Sequence, residues 1–252
     1  MRGDRFRRAI TRRTGMTAID ELHEVGVNFD VDVSPLIEAD GWKIDDYCVS
    51  LTAEEPGPPE PGGSWEVGCR LLSDYEFVDP EIVRAVYYPD HPLDGRDMLL
   101  EGRFLWMRFH LGVRVGGLID LTEKIDGRLA RRWGWSYRTL QGHLEMGQMD
   151  YEVRKWLDDG QVEFRIHAFS KAARIPNPVV RMGFQVFGRH MQQKFARHAL
   201  DRMRRLVETE LASLGVTPSA ASPVRAAEHL RIESDAANPA HKERMEKTGE
   251  QS

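Results

Sequence analysis

Between residues 133 and 214 the hydrophobic period of this chain changes once, from two to about 3.6, and that change limits what it can fold into. Residues 135–141 set Trp135, Tyr137 and Thr139 on one side and Ser136, Arg138 and Leu140 on the other. Met149, Tyr151 and Val153 alternate in the same way, and so do Val162, Phe164, Ile166 and Ala168. A period of two with one apolar face is the pattern of a half-buried antiparallel sheet. Turn residues separate the segments: Gly142 to Gly147 for one hairpin, and Asp158-Asp159-Gly160 for the next. After Asn177-Pro178, a helix cap followed by proline, apolar residues recur three to five apart at Phe184, Phe187, Met191, Phe195, Ala199, Met203, Leu206 and Leu211. Gly215 and Pro218 end the run. The pattern predicts an α+β fold in which a curved antiparallel sheet wraps one long C-terminal helix.

The remaining chain is read around that frame. Residues 98–124 are apolar on both parities, which predicts a strand covered on both faces. The inner cover is expected to be the long helix, and the outer cover either helices within 64–88 or a second subunit. Gly112, Gly116 and Gly117 mark bends or bulges. Residues 41–51 suit an irregular strand, and the run EEPGPPEPGG at 54–63 an extended, solvated linker. Ser64 is placed to cap a short helix, and Asp79-Pro80 to open another over 81–87. Residues 1–40 read as a flexible N-terminal arm, 41–215 as one domain and 216–252 as a disordered tail, because both ends lack apolar surface to dock. The first fifteen residues hold six arginines and one acid, so translation starts either at Met1 or at Met16.

Composition excludes more than it selects. A net charge of -5 argues against nucleic acid as a partner. No run approaches the roughly 18 apolar residues of a membrane span. Cys48 and Cys69 have no ligand-type spacing and read as free thiols of a cytoplasmic protein. No phosphate loop, dinucleotide fingerprint, CxxC pair or HExxH motif occurs, so neither a cofactor nor a metal is expected.

Three blocks, YEF at 75–77 with Asp79-Pro80, LDGRDMLLE at 93–101 and WSYRTLQGH at 135–143, resemble a family of unknown function, number nineteen-ninety among such families. Its members come from plants and bacteria and are similar to the helix-grip (START-like, SRPBCC) superfamily. The resemblance runs from about residue 41 to 206. It implies a cavity between sheet and helix but assigns no residue a role.

Candidate residues therefore come from parity alone. Tyr137 and Tyr151 share the apolar parity of their strands, so their hydroxyls either line a cavity or find partners in the core. Glu101 and Arg103 share the parity of Leu99 and form either an inward pair or ligand clamp, or a surface pair. His143 and Glu145, in one hairpin, are the material of a general acid–base pair or simply bonded to loop backbone. Basic residues along the helix suit a solvated face. The function read from this is binding of a small, largely apolar ligand in the sheet–helix cavity. The alternatives are a polyketide cyclase- or hydrolase-like enzyme using the same cavity, and an interaction protein with a filled core. A helix of about 55 Å outruns strands of about 25–35 Å. Its end, with Leu206, Val207, Leu211 and Leu214, then needs cover, which a homodimer would supply.

Overall fold

The computed structural model describes residues 19–29, 41–104, 107–173, 178–215 and 230–234. Among the described residues eight strands form one sheet: β1 (Lys43–Ser50), β2 (Val83–Val86), β3 (Asp97–Phe104), β4 (Met107–Ile125), β5 (Arg128–Thr139), β6 (Glu145–Trp156), β7 (Val162–Ala172) and β8 (Leu230–Ser234). Their order is β2-β3-β4-β5-β6-β7-β1-β8, and every neighbouring pair is antiparallel. Helix α1 (Ser64–Ser73) and helix α2 (Pro178–Ser213) pack on one face, called the inner face below. The three alternating segments are the cores of β5, β6 and β7. The block at 98–124 is two strands, β3 and β4, whose register with β5 shifts between Gly116 and Ile119, so these glycines do make a bulge.

Strand parity sorts the sheet into two faces. Met98, Leu100, Val113, Val115, Trp135 and Tyr151 are buried in the main core with residues of both helices. Leu99 and Leu140, of opposite parity, are fully buried in a separate cluster with Ile19 and Leu22. The outer cover over Leu99 is thus the N-terminal arm, with Val86, Tyr87 and Tyr88 packed beside it. Gly112 makes the docking possible, since a Cβ on it would lie 2.8 Å from the Leu22 Cδ2. Arg114 fixes the arm further, donating to the Leu22 carbonyl at 2.8 Å while paired with Asp97. Residues 19–29 are therefore docked, contrary to their reading as a loose arm, because two buried side chains suffice to anchor a short segment. The rest of residues 1–40 lies outside the described residues.

The proline-rich segment at 54–63 also departs from expectation. Glu54 and Lys155 are both buried, with the Lys155 Nζ 2.6 Å from Glu54 Oε2 and 2.9 Å from the Pro58 carbonyl. Glu54 accepts two backbone N–H groups as well, from Glu60 at 3.0 Å and Trp65 at 2.7 Å. The latter is an orphan donor in the first turn of α1, so Glu54 caps the helix and Ser64 is its first residue. Gly160 completes the strap: its φ is 75°, and a Cβ would lie 1.9 Å from the Glu54 carbonyl oxygen. Composition signals a solvated linker here, but one buried ion pair with further hydrogen bonds to both partners overrides it.

Two further expectations are corrected. Asp79-Pro80 begins a turn, not a helix; Asp79 accepts the Glu81 N–H, and the chain enters strand β2 at Val83. Within the tail, Leu230–Ser234 pairs with β1 as an edge strand. Its Leu230, Ile232 alternation meets the open hydrogen-bonding edge of β1, which a reading of the tail alone does not offer. The other residues of 216–252 lie outside the described ones.

Helix α2 runs unbroken for 36 residues, and from Ala196 onward its packing against the sheet is described. Ala196, Ala199, Leu200, Met203, Val207 and Leu211 are buried at three-to-four spacing, while Phe195 and Leu206 are only partly so. Arg70 on α1 pairs with Glu210 on α2, closing the helices over Val207 and Leu211. The end of the helix is thus covered within the chain, with Leu214 alone exposed at 58%.

Lys155→Met should cost about 3–5 kcal/mol, because it strands a buried carboxylate. Pairing it with Glu54→Gln should restore much of the loss. Denaturant unfolding of the two variants reads this directly; equal stability of wild type and Lys155→Met would refute it.

Candidate functional site

The inner face changes character from one end of the sheet to the other. Cross-strand register gives four rows over β1, β7 and β6. The first is Val49, Phe164, Val153, which is aliphatic and aromatic. Next comes Tyr47, Ile166, Tyr151, with Trp135 of β5 extending the row. The third row is Asp45, Ala168, Met149, extended by Tyr137. Last is Lys43, Ser170, Gly147, with Glu145 following on β6. Polarity increases along the face, and side chains shrink in the middle of the last two rows.

At the polar end, two residues of α2 meet the sheet. Arg189 makes a two-pronged pair with Asp45, whose exposure is only 5%. One turn on, the Gln192 amide reaches both carboxylate oxygens of Glu145, at 2.6 and 2.7 Å, and Ser170 Oγ at 3.3 Å. From the arm, Asn28 donates to the Glu145 carbonyl at 2.7 Å and accepts from Thr139 at 2.7 Å. Burial pushes the Glu145 carboxyl up to about 7, outweighing the bond from Gln192 and the charges of Lys43 and Arg189. Asp45 beside it pushes in the same direction. Glu145 is therefore poised to hold or release a proton near neutrality.

His143 does not face that carboxylate as an acid–base partner. Its ring is buried, and Nδ1 accepts the Glu145 backbone N–H at 3.0 Å. Burial holds it down to about 4, so it is a neutral imidazole with its proton on Nε2. Tyr137 and Tyr151 lie on the inner face, with burial pushing the former up to about 12 and the latter well above the usual phenol value. Glu145 contributes to the Tyr137 shift, which links the polar end to the tyrosine row.

Glu101 lies on the other face from this site, and the side chain of Arg103 lies outside the described residues. Leu99 packs under the arm, so Glu101, two residues on, belongs to the outer face. Its partners there are His110 at 3.4 Å and Arg84 at 3.9 Å. Arg103 stands opposite Arg108 in the ladder. His167, also of outward parity, is not free in solvent but bonded to Asp150 at 3.0 Å. Among the described residues no three His, Cys, Asp or Glu side chains converge to hold a metal ion. Nor is any described helix long and apolar enough to cross a membrane.

The residues that sequence reading missed are Asp45, Arg189, Gln192, Ser170 and Tyr75. Asp45 had a signal, since it shares the parity of Tyr47 and Val49 on a face that should be apolar. Gln192 continues the buried stripe of Gly188, Ala196 and Ala199, a polar residue where an apolar one is expected. Tyr75 had none, because its position depends on a turn with φ of 61°.

An antiparallel sheet folded about one long C-terminal helix, with β1 returning beside β7, is a helix-grip fold. Within that class, the chain belongs to the family described as Domain of unknown function (DUF1990), whose model matches residues 22–202. Solved structures similar to it include an aromatase/cyclase, ZhuI of Streptomyces sp. R1128, at 14% identity and a TM-score of 0.44, covering 70% of this chain and 99% of that one. Ara h 8.0201 is similar at 8% identity and a TM-score of 0.40, covering 67% and 99%. Human STARD10 is similar at 7% identity and a TM-score of 0.34, covering 88% and 95%. No curated protein matches the sequence.

The pH dependence of stability follows from these shifts. Glu145 binds its proton more tightly folded than unfolded, so its penalty is full above about pH 7 and fades as pH falls towards 4.5. His143 runs the other way, and stability is lost as pH falls from 6.5 towards about 4. Glu145→Gln removes the first effect alone. Its melting temperature should exceed that of wild type at about pH 8 and match it at about pH 5. A difference independent of pH would mean that Glu145 is not desolvated.

Proposed function

We propose that this protein binds a small, largely apolar molecule on the inner face of the sheet, with its polar end towards Glu145. The observation that carries this is the graded face itself. An apolar and aromatic floor gives way to the small residues Ala168, Ser170 and Gly147, and then to the Glu145 carboxyl held by Gln192. Pockets for small molecules combine apolar walls with a few placed polar groups in this way. Gly147 has no room for a side chain, since a Cβ would lie 2.1 Å from the Phe169 carbonyl, so β6 contributes no wall at that point. Cys48 and Cys69 are free thiols, which fits a reducing, cytoplasmic setting.

A second reading, a cyclase- or hydrolase-like enzyme, draws on the Glu145 carboxyl alone. A group balanced near pH 7 suits general acid–base work. His143 adds nothing to that reading, because its Nδ1 is engaged and its ring neutral.

Native mass spectrometry of protein purified from its own host tests the binding reading. The expected result is a mass excess of one small molecule, lost on denaturation, and a one-to-one fluorescence gain with anilinonaphthalene sulfonate after its removal. Ala168→Trp, which fills the third row, should abolish both. Protein that carries its bare sequence mass and gives no dye response has a filled core, and the proposal fails.

A further inference from the structure

Three phenol hydroxyls cluster in the interior, two of them bonded to a thioether sulfur and the third without a hydrogen bond of normal length among the described residues. Tyr137 and Tyr151 come from β5 and β6, and Tyr75 from the turn after α1. The Tyr151 hydroxyl is 3.4 Å from that of Tyr137. Both point at the Met149 Sδ, at 2.9 Å from Tyr151 and 3.5 Å from Tyr137. The Tyr75 hydroxyl approaches Tyr151 but makes no hydrogen bond of normal length among the described residues. Its side chain is held there by a left-handed backbone, a conformation that a bulky residue adopts only when its surroundings impose it. Burial raises all three phenols, so each keeps its proton and remains a donor. A thioether is a weak acceptor, and a buried donor without a strong one is costly.

We propose that Tyr75, Tyr137 and Tyr151 form a subsite for a neutral carbonyl oxygen of the bound molecule, which replaces the Met149 sulfur as their acceptor. This rests on the binding reading above and names the chemistry of the ligand's inner end. Met149 suits the exchange, because it is only half-buried, between the phenols and the small residues of the last rows, and methionine is flexible. The oxygen is that of a ketone or ester and not of a carboxylate. No guanidinium or ammonium is among the groups that shift the three hydroxyls, and an unpaired buried charge is too costly. Aromatic rings wall the subsite, with Phe77 at 4.8 Å and Trp135 at 5.1 Å from the Tyr151 ring, which favours a flat, conjugated ligand.

Two probes that differ in one atom test this: acetylnaphthalene and isopropenylnaphthalene, in which a methylene group replaces the carbonyl oxygen. Binding to the full chain is measured by calorimetry, and the ketone stretch by infrared difference spectroscopy. The ketone should bind about tenfold more tightly than the alkene, the worth of one good buried hydrogen bond. Its stretch should fall to lower frequency than in hexane. Tyr137→Phe and Tyr151→Phe should remove the preference and the frequency shift. Met149→Leu, which deletes the competing sulfur, should raise the preference and serves as the probe if a phenylalanine variant unfolds. Equal affinity for the two probes, or a preference intact in both phenylalanine variants, overturns the subsite and leaves the cavity standing; the phenols then hold buried water or one another. Failure of both probes to bind overturns the subsite together with the binding reading.

Discussion

The ion pair between Glu54 and Lys155 is the interaction on which the arrangement of this molecule depends. Two opposite charges are withdrawn from water at the junction of β6, α1 and the proline-rich strap. The penalty of that withdrawal is offset because further hydrogen bonds support both charges: the Pro58 carbonyl, the Glu60 N–H and the first-turn N–H of α1. The same carboxylate therefore sets the start of α1, the path of the strap and the docking of both on the sheet. With α1 fixed, Arg70 can pair with Glu210, and the C-terminal half of α2 closes over Val207 and Leu211.

This divides α2 into parts with different duties. From Ala196 to Leu211 it packs apolar residues and holds the fold together. One to two turns earlier, Arg189 and Gln192 meet Asp45 and Glu145 and shape the polar end of the inner face. Polar residues on an inner face are costly, and those here are tolerated because they are paired, Asp45 with Arg189 and Glu145 with Gln192.

Much of the architecture was legible because periodicity reports burial directly. The alternation in β5, β6 and β7 and the switch at Pro178 need only local sequence to be read. Reading failed where one distant contact overrode composition. Nothing at 54–63 announces Lys155, nothing at 19–29 announces the notch left by Gly112, and the helix cap lies ten residues before the helix it caps. For the site, parity placed Tyr137 and Tyr151 correctly on a face but could not distinguish the inner face from the outer one at Glu101, since both faces of β3 are covered. Gln192 and Asp45 were visible as polar residues at apolar positions, and such misfits were the informative signal.

The closing of the sheet by β1 against β7 has a consequence for how the chain is made. Lys43 pairs with Ser170, and Glu54 waits 101 residues for Lys155, so the contacts that complete the sheet are among the most distant in sequence. Such pairings are slow to form because loop closure precedes any gain from them. On the ribosome, β1 and the strap emerge long before their partners exist. Glu54 must stay hydrated meanwhile, which keeps α1 from docking early on an unfinished sheet. The central β4 to β7 hairpins, joined by short turns, can assemble first as a unit. The first strand to be synthesised is thus among the last to be placed, and an edge left open for that interval is where a nascent chain of this fold is most exposed to pairing with a neighbour.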